Sequence, residues 1–133
     1  MAQIEQKVVD SVNQPGRVGV LATADKQGRP NAAYFGSPRL NVDGTLVMGL
    51  AVNRSLKNLE ENPYAVFFTI EHSPVDFGTK GYRLYLKAKE IQRSGTILDN
   101  IREAIAKFAG PDAAKMIQAG VLFEVNEIRP LIA

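Results

Sequence analysis

Arg54, Ser55, Lys57 and Asn58 crowd together directly after the apolar run Leu46 to Val52. Two cations, a hydroxyl and an amide at that spacing offer a cluster of hydrogen-bond donors, and the ligand such a cluster suits is a phosphate. The apolar run reads as a strand, and Ser55 to Asn62 reads as a short helix that stops before Pro63. The cations therefore stand where a strand hands over to a helix. A helix start favours acidic side chains, because the macrodipole places about half a positive charge there. A bound phosphate would resolve the conflict by accepting bonds from the free backbone N–H groups, the Ser55 hydroxyl and both cations. A solvated basic turn accounts for the pattern equally well, with Glu60 close by and Lys57 and Glu61 forming an i, i+4 pair. The local pattern leaves both open.

Other chemistry is sparse. His72 is the single histidine, so no multi-histidine metal site exists, and its place in a Gly/Pro-rich loop reads as surface. With no cysteine there are no disulfides, thiolate metal sites or cysteine nucleophiles. The 14 carboxylates are scattered without metal-ligand or acid–base spacing. No metal site is expected, and no catalytic residue can be named. Gly78-Thr79-Lys80-Gly81 lacks the full phosphate-loop spacing and precedes a strand rather than a helix, although Lys80 could reach an anion from its loop. The aromatics Tyr34, Phe35, Phe67, Phe68, Phe77, Tyr82 and Tyr85 read mostly as core, with Phe67 and Phe68 on opposite faces of one strand. Tyr34 and Phe35, just before Gly36, are the better candidates for a ring-binding wall.

The elements that must position these groups come from a chain of 133 residues, read as one domain over 1–133. Apolar content of 45% with 23% charged residues excludes a disordered chain, and a net charge of +2 without a basic run argues against a nucleic-acid partner. The single basic aromatic face, Arg83, Tyr85, Lys87 and Lys89, is the only place where a single strand of nucleic acid could stack. No apolar run approaches the roughly 20 residues of a membrane helix. The first residues carry no basic-then-apolar signal pattern, and the expected location is cytoplasmic.

Ile4, Val8 and Val12 mark a helix over Gln3 to Asn13, and Arg17 to Thr23 a strand. Gly28 supplies a hairpin turn before a return strand, Asn31 to Gly36. Asp43-Gly44 predicts a two-residue hairpin between Arg39 to Val42 and Thr45 to Val52. Tyr64 to Glu71 and Tyr82 to Arg93 are strands flanking a loop, His72 to Gly81, long enough to be functional. Thr96 to Ala109 is the clearest helix, with an Ile97, Ile101, Ile105, Phe108 stripe joined by Leu98. Gly110-Pro111 stops it, Asp112 is expected to cap a second helix over Ala113 to Gln118, and Val121 to Ile128 is the last strand. Six or seven short strands joined mainly by hairpins predict an antiparallel sheet that curls into a barrel.

The whole pattern resembles the FMN-binding split-barrel family that includes pyridoxamine 5′-phosphate oxidase, and most closely its small FMN-binding members. The resemblance rests on Val18 to Thr23, on Asp25-Lys-Gln-Gly-Arg-Pro-Asn-Ala-Ala33, on Asp43-Gly44, and on Arg54-Ser-Leu-Lys-Asn-Leu-Glu-Glu-Asn-Pro63 before a strand. It implies a mainly β fold, a six-stranded antiparallel split barrel with peripheral helices, assembled as a homodimer with flavin at the interface. It implies FMN as cofactor, its phosphate on Arg54, Ser55, Lys57 and Asn58. Ala33, Tyr34, Phe35 and Gly36, with Leu50, Ala51 and Val52, would line the ribityl chain and ring, and Lys80, Gly81 and Tyr82 would close over the ring, from either subunit. The oxidase's C-terminal Arg-x-His motif has no counterpart in Ile128-Arg129-Pro130-Leu131-Ile132-Ala133, so the resemblance points away from vitamin B6 oxidation. It points to electron or hydride transfer by a small FMN-dependent oxidoreductase or flavin reductase, with a small redox molecule or NAD(P)H as partner. A deazaflavin or haem in the same fold, or a non-enzymatic stress-response module, are the alternatives.

Overall fold

Alternation along the first strand turns Gly19, Leu21 and Thr23 to one face and Val20 and Ala22 to the other, which gives the sheet an inside. The computed structural model describes residues 3–132. Seven strands are formed: β1 (Val18–Ala24), β2 (Pro30–Tyr34), β3 (Arg39–Leu40), β4 (Thr45–Leu50), β5 (Tyr64–Ile70), β6 (Gly81–Gln92) and β7 (Ala119–Pro130). They pair antiparallel in the order β2-β1-β5-β6-β7-β4-β3, leaving β2 and β3 as edges of a split barrel. The expected fold class holds, and the seventh strand is the two-residue β3. Leu21, Leu46, Met48, Phe67, Leu84 and Phe123 fill the interior.

Four helices lie at the periphery: α1 (Gln6–Val12), α2 (Arg54–Glu61), α3 (Thr96–Ala109) and α4 (Pro111–Lys115). Val8, Val9 and Val12 of α1 join the core beside β6 and β3. α2 packs on β1 and β2, and α3 lies on β7 and β4. Three local expectations change. The turn after β3 spans Asn41 to Gly44 rather than two residues, because the Asp43 carboxylate accepts from the Thr45 N–H and hydroxyl, and Ile4 N–H donates to the Val42 carbonyl at 2.8 Å. Gly110 precedes α4, with Pro111 in the first turn, and Asp112 makes no cap bond. The stripe on α3 does not bury along its length: Leu98 is the buried side chain, and Phe108 is 93% exposed.

Polar side chains just past α1 add to its anchoring. Asn13 donates to the Leu40 carbonyl at 2.9 Å and accepts from Leu40 N–H at 2.8 Å. Arg17 donates to the carbonyls of Val12, Pro38 and Gly36 and has no carboxylate partner among the described residues. Burial lowers the Arg17 pKa from its ordinary value, and the nearby Arg39 adds to the effect. Arg17→Met strips charged donors from these three carbonyls. It is expected to cost about 2 kcal/mol, on the scale of one charged hydrogen bond, seen as a lower thermal midpoint. An unchanged midpoint would show that the guanidinium adds nothing to stability.

The Asp43 turn adds a pH dependence. The Thr45 hydroxyl, and then the Thr45 N–H, hold the Asp43 carboxyl below its ordinary value. A lowered folded-state pKa means stabilisation that is present above the unfolded value and lost as pH falls through the folded one. The midpoint difference between the wild type and Asp43→Ala is therefore expected to shrink as pH drops below about 4, and a constant difference would contradict this.

Candidate functional site

β4 stops at Leu50, whose carbonyl accepts from Gln118 N–H at 2.9 Å, and the chain turns outward through Ala51 and Val52. Asn53 is extended, and its side chain accepts from Leu56 N–H at 3.0 Å. This is the N-cap that fixes where α2 begins, a role that sequence reading missed although an Asn ahead of a helical segment is a recognised start signal. The cap uses the third N–H of the helix. The N–H groups of Arg54 and Ser55 find no acceptor among the described residues.

α2 divides cleanly. Ser55, Leu56, Asn58 and Leu59 are buried, while Arg54, Lys57, Glu60 and Glu61 are exposed. Asn58 donates to the Thr23 hydroxyl at 3.1 Å in a buried bond, and the Ser55 hydroxyl lies 3.5 Å from the Asn31 amide. Asn31 and Thr23 face each other across the β1–β2 hairpin. Sequence reading passed over both, yet each is a polar residue on the inner face at a strand end. Asn58 thus docks the helix on the sheet. Asn58→Leu is expected to leave Thr23 without its donor and to lower the thermal midpoint by a few degrees, on the scale of about 1 to 2 kcal/mol. A midpoint equal to wild type would remove Asn58 as the docking residue.

The two cations are treated differently from the neighbouring acids. Glu60 pairs with Arg93 at 3.0 Å, and Glu61 accepts from Lys26 N–H at 3.2 Å. The Lys57–Glu61 pair expected of a solvated basic turn is not made. Neither Arg54 nor Lys57 has an ion-pair or hydrogen-bonding side-chain partner among the described residues. Two cations and two N–H groups thus stand at one helix start without a protein acceptor among the described residues, where the macrodipole adds partial positive charge.

The other sequence candidates scatter around this corner. Ala33 is half-buried on β2, two residues along from Asn31. Tyr34 is 65% exposed, Phe35 packs against the core, and Gly36 is exposed with the Tyr34 hydroxyl folded close to it. Leu50 is buried, Ala51 half-buried and Val52 71% exposed. Lys80, Gly81 and Tyr82 do not join them in one chain. Thr23 aligns with Ala65 and Leu86, whereas Gly81 aligns with Ile70 and Val18, roughly 16 Å further along the strands. His72 is exposed, as its loop position suggested. No three His, Cys, Asp or Glu side chains gather as a metal site among the described residues. Among the described residues no helix is long and apolar enough to cross a membrane.

The outer face of β1, β5 and β6 carries a group of apolar side chains, with Arg83 and Lys87 of β6 at its margin. Val20, Ala22, Val66, Phe68 and Tyr85 are half-buried there. A shallow cavity of about 340 Å³ beside them is walled by Ala22, Ala24, Tyr64, Val66 and Tyr85.

Residues 4–127 match the profile of the pyridoxamine 5′-phosphate oxidase family. An uncharacterized protein of Methanocaldococcus jannaschii is 26% identical over 136 aligned residues, covering 88% of this chain and 89% of its own. An FMN-binding protein of Syntrophomonas wolfei has the same fold, with a TM-score of 0.83 at 19% identity over 96% of this chain and 86% of that one. HutZ, the haem storage protein of Vibrio cholerae, superposes with a TM-score of 0.68 at 23% identity over 96% of this chain and 94% of its own.

Proposed function

Since the chain belongs to the pyridoxamine 5′-phosphate oxidase family, we propose that it is a cytoplasmic FMN-binding flavoprotein that transfers electrons or hydride. The observation that carries this reading is the α2 cradle: Arg54, Lys57 and the N–H groups of Arg54 and Ser55, all at one helix start and without a partner among the described residues. That donor set fits a phosphate monoester dianion. Ser55 would add its hydroxyl, and Asn58 would hold the helix in place. When bound, the flavin would supply the redox chemistry, while the protein sets its position and polarity. Ala33 and Tyr34 on β2, with Phe35 and Gly36 just past its end, would flank the ribityl chain and ring, with Leu50, Ala51 and Val52 beside them.

The same reading includes a homodimer. The half-buried apolar face of β1, β5 and β6 is the surface a second copy would cover. Lys80, Gly81 and Tyr82 would approach the ring only from that second copy. Purified protein supplied with FMN is expected to be yellow, with roughly one flavin per chain. Its oxidised-flavin bands should bleach on addition of NAD(P)H or a chemical reductant. A colourless protein that takes up no FMN would overturn the reading. A haem Soret band in its place would assign the fold's other ligand chemistry, of which the fold neighbour HutZ is an example.

A further inference from the structure

A second cavity, a cleft of about 730 Å³, opens at the other end of the sheet from α2. Its inner wall is apolar: Ile4 and Val8 are nearly fully buried, and Tyr82 and Ile128 pack against the core from β6 and β7. That volume falls within the range of small-molecule sites.

Two rings and one free cation give the cleft a chemical character. Phe77 is fully exposed at the mouth, although the turn that carries it is tightly held. Asp76 accepts from Gly78 N–H at 2.8 Å, and Asp76 N–H donates to the Thr79 hydroxyl at 2.9 Å. Glu71 N–H then ties the base of the loop to the Lys80 carbonyl at 2.9 Å. An exposed phenyl on a fixed turn is costly in water and useful beside a ring. Among the cleft's cations, Lys7 lies 3.6 Å from Glu5 and Arg129 lies 3.3 Å from Glu127. Lys80 has no ion-pair partner among the described residues. The carboxylate of Glu71 is engaged by the Ser11 hydroxyl at 2.8 Å.

One buried group has no protein partner at this end. Thr69 is fully buried and pairs across the strands with Tyr82, on the same inner face, and its hydroxyl makes no hydrogen bond. Buried hydroxyls are normally satisfied, but Thr69 does not line the cleft, so its hydroxyl is no part of the site.

We propose that this cleft is a binding site for a small aromatic anion, its ring between Phe77 and the Ile4–Val8 wall and its acid group on Lys80. Within one chain the cleft stands apart from the α2 cradle, but Lys80 and Tyr82 are also the residues that would reach the flavin of a second copy, so the titration uses flavin-free protein. The test is a fluorescence titration of the full chain with 8-anilinonaphthalene-1-sulfonate, a ring system with one sulfonate. Saturable binding is expected, weakened roughly tenfold by Lys80→Gln, the scale of one charge-assisted hydrogen bond. Phe77→Ser should weaken it by a similar factor. Both positions are exposed, so thermal midpoints should match the wild type. Arg54→Ala with Lys57→Ala should leave dye affinity unchanged, which separates this site from the flavin reading. Dye binding that survives either Lys80→Gln or Phe77→Ser would place the dye elsewhere and overturn the proposal.

Discussion

Arg54→Ala combined with Lys57→Ala is expected to weaken FMN binding by about 3 kcal/mol, roughly 100-fold in Kd, measured by flavin fluorescence quenching. Each charged hydrogen bond to a phosphate is worth about 1.5 to 3 kcal/mol, and both side chains are solvent-exposed, so the lower end of that range applies. Neither side chain has a protein partner to lose among the described residues, and both are exposed on α2. The fold should therefore tolerate the change, and the thermal midpoint without FMN should move little. The midpoint gain on adding FMN, by contrast, should largely vanish, because ligand stabilisation follows the ratio of concentration to Kd. FMN affinity equal to wild type would remove the cradle from the site.

Gly81→Ala is expected to destabilise the protein by about 3 kcal/mol or more, lowering the thermal midpoint by roughly 10 °C. A Cβ at this position would lie 1.9 Å from the Thr69 carbonyl oxygen and 2.9 Å from its carbon. Both are backbone atoms of a paired strand, so no side-chain rotation relieves the contact. β5 and β6 would have to separate at Ile70 and Gly81, where their ladder begins. Lys80→Gln, one residue away and exposed, is the matched control and should leave the midpoint unchanged. A Gly81→Ala protein as stable as the wild type would contradict the close packing of these strands. The structure thus gives Gly81 a packing role of its own in the chain that carries it.

Local chemistry was legible in the sequence where it was written locally. The strand-to-helix junction at residue 54, the α3 boundaries Thr96 to Ala109 and the opposed faces of Phe67 and Phe68 all follow from patterns a few residues long. The same holds for the turn glycine Gly28, which has φ +83°. What the sequence left obscure depends on contacts between distant segments. The Asn58–Thr23 bond joins residues 35 apart, and the Ser11–Glu71 bond joins residues 60 apart. Periodicity alone assigned Phe108 to a buried stripe, but α3 meets the sheet mainly through its first half, where Leu98 and Ile101 lie against Gly120 and Gly49. The separation of Lys80, Gly81 and Tyr82 from Arg54 follows from strand register, which no local motif encodes.

The most direct test of the phosphate cradle compares FMN with riboflavin, which differs only in lacking the phosphate. Titrating both flavins into the wild type and into the Arg54→Ala, Lys57→Ala protein isolates the phosphate's interaction with those two side chains. The wild type is expected to prefer FMN by at least roughly 100-fold, and the double variant to lose about 100-fold of that preference, keeping only the share held by the N–H groups and Ser55. A wild type that binds riboflavin as tightly as FMN, or a preference undiminished by both substitutions, would contradict the assignment of Arg54 and Lys57 to the phosphate.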